Sequence, residues 1–287
     1  MQGRVVAAHG RQYRVELADG SHLPCFPRGK KSEVACGDRV DVRQTAADQG
    51  VIEAIAPRRN LLYRSNAVRQ KLIAANVDLL IIVVAAEPAF SDELVSRALV
   101  AAESAGIETL IVLNKCDLAE RLPAARQQLA VFAALGYRVL ELSARDHAAD
   151  LRPALQGRVS VLVGQSGMGK STLINALVPE AQAATREISR ALASGKHTTT
   201  HASLYRLDAD SALIDSPGLQ EFGLSHLGRD DIAAAFREFR PLLGQCRFRD
   251  CRHDREPGCA LTAALAAGRI DRRRFAAYQR IIGRPGA

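Results

Sequence analysis

The sequence lacks the features of a membrane protein and of a secreted protein. Its longest apolar run, Leu79 to Ala86, has the length of a strand, whereas a helix that crosses a bilayer needs roughly 18 apolar residues. The first residues, MQGRVVAAHGRQYRVEL, contain neither the apolar segment nor the small-residue cleavage site of a signal peptide. We therefore expect a cytoplasmic protein that makes no membrane contact.

Aromatic residues are also scarce, since the 287 residues include no Trp, 5 Tyr and 8 Phe. This scarcity weakens the case for nucleic-acid binding by base stacking. Positive charge is plentiful, with a formal net charge of +8 and a pI near 9.5. That balance favours a polyanionic partner, although a solvated surface without a partner would also be compatible with it.

The positive charge lies at the two ends of the chain. Residues 1–60 carry 10 Lys and Arg against 7 Asp and Glu, and residues 226–287 carry 13 against 7. Residues 61–225 carry 16 against 17 and are nearly neutral. We therefore expect the two ends to hold the polyanionic partner.

The strongest local pattern is RVSVLVGQSGMGKSTLINAL at residues 158–177. It predicts a buried strand, a glycine-rich turn and a helix, which is the context that makes GxxxxGKS a phosphate-binding loop. Inward backbone N–H groups and the helix N-terminus would bind phosphate. Lys170 is expected to reach the outer phosphates, and the Ser171 hydroxyl to ligate Mg²⁺. The predicted nucleotide-binding residues of this loop are Gly164, Gln165, Ser166, Gly167, Met168, Gly169, Lys170, Ser171 and Thr172.

Two segments upstream end in polar residues just after predicted strands, where open α/β sheets bind ligands. The Asp117 carboxylate can accept hydrogen bonds from N1–H and the 2-amino group of guanine, two donors that adenine lacks. Asn114 is expected to meet the other edge of the base, the Lys115 stem to lie over its ring and the Ala144 amide to donate to O6. NKxD alone is a weak motif that also fits a helix N-cap, but beside a phosphate loop it indicates a guanine nucleotide. The predicted residues of this part are Asn114, Lys115, Cys116, Asp117, Ser143 and Ala144.

After the phosphate loop comes the polar stretch GKHTTTH at 195–201, and then a predicted strand that ends in DSPG. The Asp215 carboxylate is expected to hold Mg²⁺ through water, and the Gly218 amide to sense the γ-phosphate. One threonine of the polar stretch is expected to close over the metal in the triphosphate state, and Thr199 is the candidate.

The group that orients the attacking water is harder to assign. In Ras-like enzymes a glutamine follows DxxG, but here the next residue is Leu219, which has no polar group. His197 is the candidate, because an imidazole can orient or deprotonate water near neutral pH. A surface histidine without a catalytic part is the alternative.

The first 56 residues contain five short segments with strand character, separated by turn signals. Tyr13, Val15 and Leu17 alternate with polar residues, and Asp19-Gly20 predicts a hairpin turn. Five strands in this length predict a small barrel of the oligonucleotide-binding (OB) type. Such a barrel could contact RNA through its basic loop at 28–31, or could be a structural module. The segment PRRN at 57–60 is predicted to be a linker.

Only six cysteines are present, and three of them cluster in CRFRDCRHDREPGC. Three thiolates and one imidazole at this spacing predict a tetrahedral Zn²⁺ site, with free thiols beside a surface histidine as the alternative. The metal would hold together a segment too small for a core of its own. Its predicted ligands are Cys246, Cys251, His253 and Cys259.

A helix is predicted beyond this cluster, because Phe275, Tyr278 and Ile282 recur on one helical face. The aromatic residues are expected to pack inside the protein. The arginines at 272–274 are expected to contact RNA or to lie in solvent.

The order of the motifs is unusual, because NKCD and LSA precede the phosphate loop instead of following DxxG. The chain therefore resembles the circularly permuted GTPases that depend on the small ribosomal subunit, the RsgA (YjeQ) family. The resemblance covers essentially the whole chain and rests on PRRN, IAANVD, NKCD, GQSGMGKST, GKHTTTH, DSPG and the cysteine cluster. Lys196 departs from the arginine expected there, and it keeps the charge but loses bidentate geometry. Gly167 stands where some potassium-dependent GTPases have asparagine, so no potassium ligand is expected.

The resemblance implies a circularly permuted α/β P-loop GTPase domain. An N-terminal OB-type β-barrel and a C-terminal zinc-binding, mostly helical domain would flank it, with boundaries at 1–60, 61–225 and 226–287. It implies hydrolysis of GTP to GDP and phosphate, stimulated by the small ribosomal subunit during late maturation of that subunit. The expected partners are the small subunit with its rRNA and GTP or GDP. We expect a monomer with one structural Zn²⁺, and Mg²⁺ bound with GTP.

Two other functions are compatible with parts of this sequence. The first is a P-loop ATPase or kinase, against which NKCD argues. The second is an RNA-binding module with a degenerate nucleotide site, against which the intact Lys170, Ser171 and Asp215 argue.

Overall fold

The computed structural model describes residues 1–29, 33–65, 70–178, 181, 202–216, 223–254 and 256–283. Within these ranges the chain forms an N-terminal barrel, a central sheet covered by helices and a C-terminal helical region. Strands and helices are numbered below in chain order among the described residues.

The first five strands form a closed barrel. Their hydrogen-bonded order is β1-β2-β3-β5-β4, and β4 closes the barrel by pairing with β1. Alternating side chains such as Tyr13, Val15, Leu23 and Val42 are buried and form its core. The predicted OB-type barrel is confirmed. Its strands are β1 (Gln2–His9), β2 (Gln12–Leu17), β3 (His22–Pro27), β4 (Arg39–Ala46) and β5 (Gln49–Ile55).

Six strands form the central sheet, in the order β10-β9-β8-β11-β13-β12. The first five run parallel, and β12 is antiparallel to β13. All residues of β8 and β11 are buried, which explains the unbroken apolar run of β8 and the valines that alternate in β11. The strands are β8 (Leu79–Ala85), β9 (Glu108–Asn114), β10 (Arg138–Glu141), β11 (Val159–Val163), β12 (Ala202–Arg206) and β13 (Ala212–Asp215).

Four helices accompany this sheet and bury side chains such as Leu99, Phe132 and Leu173 in its core. The first of them starts after Ser91, as predicted, although the Ser91 hydroxyl makes no capping bond. Gly106 has φ +64° just after the helix ends, the left-handed conformation that glycine adopts readily. The helices are α1 (Asp92–Ser104), α2 (Leu122–Ala134), α3 (Arg152–Leu155) and α4 (Lys170–Leu177).

The barrel and the central sheet are joined in two ways. Strand β1 pairs with β12, so that both parts belong to one 11-stranded sheet. In the predicted linker, the Arg58 guanidinium donates to the buried Asp38 carboxylate at 2.7 and 2.8 Å, and Arg59 donates to Asp78 at 2.6 Å. The linker is therefore fastened at both ends and is not a flexible tether.

A small hairpin follows this linker and was not predicted. It consists of β6 (Leu61–Ser65) and β7 (Gln70–Ala75), which pair in an antiparallel manner. Ala74 and Ala75 of β7 are fully buried, and the Ala75 amide donates to the Cys36 carbonyl of the barrel. The hairpin therefore packs between the barrel and the central sheet.

The C-terminal region is mostly helical, with α5 (Arg229–Ala235), α6 (Ala260–Ala266) and α7 (Arg272–Gly283). Phe275 and Tyr278 of α7 are buried, as predicted, and they form a ring cluster with Phe236 and Phe239. Ile281, rather than the predicted Ile282, completes the buried face. The domain boundaries proposed from the sequence remain predictions.

The arginines at 272–274 do not behave as one group. Arg274 is only 1% exposed, and it donates to the Glu238 carboxylate at 2.7 Å and to the Ser96 hydroxyl of α1 at 2.8 Å. Arg273 pairs with Asp92 at 2.8 Å, and Arg272 is exposed. The expectation that all three meet RNA or solvent is therefore wrong for Arg274, which is an internal residue of the interface with α1.

Candidate functional site

The phosphate-binding loop predicted from the sequence lies between β11 and α4. Its backbone passes so close to its neighbours that glycine is required at two positions. A Cβ on Gly164 (φ +151°) would lie 2.3 Å from the Val83 carbonyl oxygen, and one on Gly169 (φ +88°) 2.2 Å from the Asn114 amide nitrogen. The loop therefore owes its curvature to these glycines as well as to the flanking strand and helix.

Lys170 opens α4 and points back into the loop. It is 9% exposed, and its ammonium donates to the carbonyl oxygens of Gly164 at 2.6 Å and Gln165 at 2.7 Å. Burial lowers the pKa of this ammonium, while the nearby Asp215 carboxylate raises it. A buried cation held by carbonyl oxygens in this way is poised to exchange them for anionic oxygens.

Asp215 ends β13 on the opposite side of the same pocket. Burial raises the pKa of its carboxyl to about 6, and the Lys170 ammonium opposes that shift. Ser171, in the first turn of α4, is exposed and lines the pocket with it. These two side chains supply a hydroxyl and a carboxylate oxygen, which are ligands that Mg²⁺ accepts.

Asn114 lines the pocket and also bonds to two neighbouring segments. It is 1% exposed, its amide nitrogen donates to the Met168 carbonyl at 2.8 Å, and its amide oxygen accepts from the Ala144 N–H at 2.8 Å. Asn114 thus ties the phosphate loop to the segment after β10. We expected Asn114 to contact the base and the Ala144 amide to contact O6. Either contact would require the bond to Met168 or the bond between Asn114 and Ala144 to be shared or exchanged.

The other residues predicted for the base site occupy varied positions. Asp117 is exposed at the rim of the pocket, where its carboxylate faces solvent. Lys115 has φ +63° and also lines the pocket. The Ser143 hydroxyl donates to Asp146 at 2.9 Å. The Cys116 thiol lies 3.2 Å from the Leu113 carbonyl, and burial raises its pKa.

A cavity of about 620 Å³ brings these parts together. This volume is within the range of small-molecule sites. Four of the predicted residues, Gly164, Gln165, Met168 and Cys116, do not line it, whereas Leu118, Arg145 and Ser216 line it without having been predicted. The lining residues are Asn114, Lys115, Asp117, Leu118, Ser143, Ala144, Arg145, Ser166, Gly167, Gly169, Lys170, Ser171, Thr172, Asp215 and Ser216.

Three predicted catalytic residues, His197, Thr199 and Gly218, lie outside the described residues. So do Lys196 and Leu219. Their roles stay predictions from the sequence.

The cysteine cluster of the C-terminal region forms a second candidate site. The donor atoms of Cys246, Cys251, His253 and Cys259 all lie within 4.8 Å of one another. His253 Nδ1 is 3.5 Å from the sulfur of Cys246 and 3.5 Å from that of Cys259. The four residues predicted as ligands are therefore brought together and could hold a metal ion.

Among the described residues, no helix is long and apolar enough to cross a membrane.

Comparisons with known proteins agree with this geometry. A family model described as RsgA GTPase matches residues 55–225. The chain is 59% identical over 286 residues to the small ribosomal subunit biogenesis GTPase RsgA of Burkholderia pseudomallei (strain K96243), covering 98% of this chain and 91% of that protein. It is 57% identical to the protein of the same name from Bordetella pertussis (strain Tohama I), covering 98% and 95%.

Two solved structures resemble the whole chain. The crystal structure of YjeQ from Thermotoga maritima has a TM-score of 0.74 at 29% identity and covers 99% of both chains. The structure of YloQ, a circularly permuted GTPase, has a TM-score of 0.71 at 24% identity and covers 99% of this chain and 94% of that one. The second likeness concerns the fold alone.

Proposed function

The chain belongs to the RsgA GTPase family and is a GTP hydrolase, and from that premise we propose that it binds the small ribosomal subunit and assists its late maturation. The observation that supports this most is the 57–59% identity to proteins named small ribosomal subunit biogenesis GTPase, over 98% of this chain. The basic ends of the chain suit a partner rich in phosphate. The cavity of about 620 Å³ lined by the phosphate loop supports a nucleotide as the ligand of this proposal.

In this proposal Asp117 selects guanine. Its carboxylate would become buried under the base and would accept from both guanine donors, whereas adenine would leave it an unpaired buried charge. A site built around such hydrogen bonds rejects the analogue that lacks them by a factor on the order of 10⁴. Asn114 would act mainly by holding the phosphate loop and the segment after β10 at the spacing that the nucleotide needs.

Lys170 would bind the outer phosphates by exchanging its bonds to Gly164 and Gln165 for phosphate oxygens. Mg²⁺ would be held by Ser171 directly and by Asp215 through water. When bound, the ion would neutralise charge that develops on the transferred phosphoryl group. From the sequence we assign the water-orienting role to His197, the switch to Thr199 and the γ-phosphate contact to Gly218.

The cluster of Cys246, Cys251, His253 and Cys259 would hold one structural Zn²⁺. In a tetrahedral site with Zn–S near 2.3 Å and Zn–N near 2.0 Å, a sulfur and a nitrogen ligand would lie about 3.5 Å apart. The 3.5 Å spacings from His253 Nδ1 to two sulfurs fit that geometry. Three soft thiolates and one imidazole favour zinc over the hard cations.

The deciding experiment is co-sedimentation with purified small subunits, large subunits and whole ribosomes, in GTP, GDP and a non-hydrolysable GTP analogue, together with GTP turnover under the same conditions. We expect selective binding to the small subunit with the triphosphate and stimulated turnover. Turnover that small subunits leave unchanged would contradict the proposal. Competition by ATP at equal concentration would favour the ATPase or kinase function instead.

A further inference from the structure

The barrel forms part of the same sheet as the nucleotide pocket. Strand β12 is the edge strand of the central sheet, and β1 of the barrel covers that edge: Ala7 pairs with Ser203, and Ala8 pairs with Ala202. On its other side β12 pairs with β13, whose last residue is Asp215. The edge nearest the candidate metal carboxylate is therefore occupied by a strand of the N-terminal barrel.

The register places one lateral row of residues between the barrel and the pocket. Ala7 is opposite Ser203, Ser203 is opposite Asp215, and Asp215 is opposite Leu162 of β11. Neighbouring strands lie about 4.8 Å apart, so the barrel backbone is only about 10 Å from that of Asp215. A movement of β1 could therefore be transmitted to Asp215 across two pairs of hydrogen-bonded strands.

A forked ion pair fastens this junction from the side. The Arg206 guanidinium at the end of β12 donates to both carboxylate oxygens of Glu16 on β2, through Nε at 2.7 Å and Nη2 at 2.7 Å. Its third nitrogen, Nη1, donates to the Ala209 carbonyl between β12 and β13 at 3.1 Å. One side chain thus contacts the barrel and the connection that leads to Asp215.

The pair is more than a surface contact. Glu16 is 8% exposed, and the Arg206 guanidinium holds the pKa of the Glu16 carboxyl below its ordinary value. Bidentate pairs of this kind fix orientation as well as distance. Among the described residues the β1–β12 ladder has two residue pairs, and the fork adds a side-chain restraint at this edge to the bonds that the linker and the hairpin make between the barrel and the central sheet.

We propose that Arg206 and Glu16 are positioning residues for subunit-stimulated GTP hydrolysis. When the barrel is seated on the small subunit, their ion pair holds β1 at the sheet edge, so that the position of the barrel is coupled to Asp215 through the row Ala7, Ser203 and Asp215. This inference rests on the proposed function, since it assumes that small subunits stimulate turnover. Neither residue lines the candidate nucleotide pocket. Their effect is on how the barrel sets β12 and β13 when the barrel is bound.

The test compares Arg206→Met with Arg126→Met. Arg126 is a matched control, because it makes the same fork to Glu141 (2.9 and 2.6 Å, through Nε and Nη2) within the central α/β part. The two side chains are similarly exposed, at 55% for Arg126 and 50% for Arg206. Turnover is measured with and without small subunits, together with the subunit concentration that gives half-maximal stimulation and the GTP affinity.

Arg206→Met should reduce stimulated kcat at saturating subunit by at least about fivefold, the lower end of allosteric coupling. Basal turnover, GTP affinity and the half-maximal subunit concentration should stay within about twofold. Arg206→Lys, which keeps the charge and loses the fork, should fall between wild type and Arg206→Met. Glu16→Gln provides a second route to the same result if Arg206→Met is poorly folded.

Three outcomes would overturn the inference. Full stimulation of Arg206→Met would mean that the fork has no part in the stimulation of GTP turnover by the small subunit. Loss of stimulation that follows loss of subunit binding would make the pair a binding element, and an equal loss in Arg126→Met would indicate general destabilisation. If wild type itself is not stimulated, the proposed function has failed, which is a separate result.

Discussion

Replacing Asp215 with asparagine should make the nucleotide-free protein more stable and inactive. The Asp215 carboxyl is buried at the end of β13, and its pKa is raised from 3.8 to about 6. Because the folded state holds the proton more tightly than the unfolded state, ionised Asp215 destabilises the fold at neutral pH. Asparagine has nearly the same shape and carries no charge, so the substitution removes this cost.

The magnitude follows from the shift in pKa. About two pKa units at 1.36 kcal/mol each give a cost of about 3 kcal/mol above pH 7, with the attraction of Lys170 already included. The cost declines as pH falls, because protonation relieves it in the folded state first, and it vanishes below the unfolded pKa of 3.8. By linkage it should be about 1.6 kcal/mol at pH 5. The advantage of Asp215→Asn over wild type in free energy of unfolding should therefore shrink as the pH is lowered from 7.5 to 5.

The assay is urea unfolding of wild type and Asp215→Asn between pH 5 and 8 without nucleotide or magnesium. Circular dichroism is the appropriate signal, because the chain has no tryptophan. Asp117→Asn is the control, since Asp117 lines the same pocket but is exposed, and its change should stay within about 0.5 kcal/mol. The reasoning is wrong if Asp215→Asn is no more stable at pH 7.5, or if its advantage grows toward pH 5. GTP turnover by this mutant should be lost, because the proposed magnesium contact is lost.

Three further predictions concern other parts of the chain. Asp117→Asn should shift the preference of the pocket from guanine toward xanthine nucleotides, and unchanged GTP preference in competition binding would contradict the base-site assignment. Cys259→Ser should release one equivalent of zinc and loosen the C-terminal region, while GTP affinity should stay within about threefold of wild type. Elemental analysis that finds no zinc in native protein would refute the metal site. Arg274→Met should lower the free energy of unfolding by about 3–5 kcal/mol, because it leaves Glu238 as an unpaired buried charge; wild-type stability in urea would show that this pair does not hold the interface with α1.

Much of the fold was predictable because its signals are local. Strands β8 and β11 were visible as apolar runs, and the phosphate loop was visible because its glycines, Lys170 and Ser171 are adjacent in sequence. The position of Asn114 was not predictable in the same way. Its bonds to Met168 and Ala144 span 54 and 30 residues, and no local pattern records them. The pairing of β1 with β12 was not predicted for the same reason, because no local sequence pattern indicates which strand will pair with the edge of a sheet.

The arginines of the C-terminal region show how this limit affects functional reasoning. Arg272, Arg273 and Arg274 are equivalent in the sequence, yet the structure leaves Arg272 exposed, pairs Arg273 with Asp92 and buries Arg274 against Glu238. A combined substitution of all three would therefore weaken the contact with α1 at the same time as any contact with RNA. The net charge of this region consequently overstates the positive charge available to a partner, because Arg273 and Arg274 form ion pairs within the protein.

The same bonds connect the C-terminal region to the nucleotide pocket. Arg273 pairs with Asp92 in the first turn of α1, and the backbone N–H of Ser91, one residue earlier, donates to the Gln165 side chain of the phosphate loop at 3.2 Å. The barrel reaches the pocket from the other side, through β12 and Asp215. Both flanking regions are thus bonded to elements that carry the pocket, one at the phosphate loop and one at the candidate metal carboxylate. A ribosomal subunit that engages both ends of the chain would therefore act on the two sides of the nucleotide at once, which a protein with its domains on flexible tethers could not achieve.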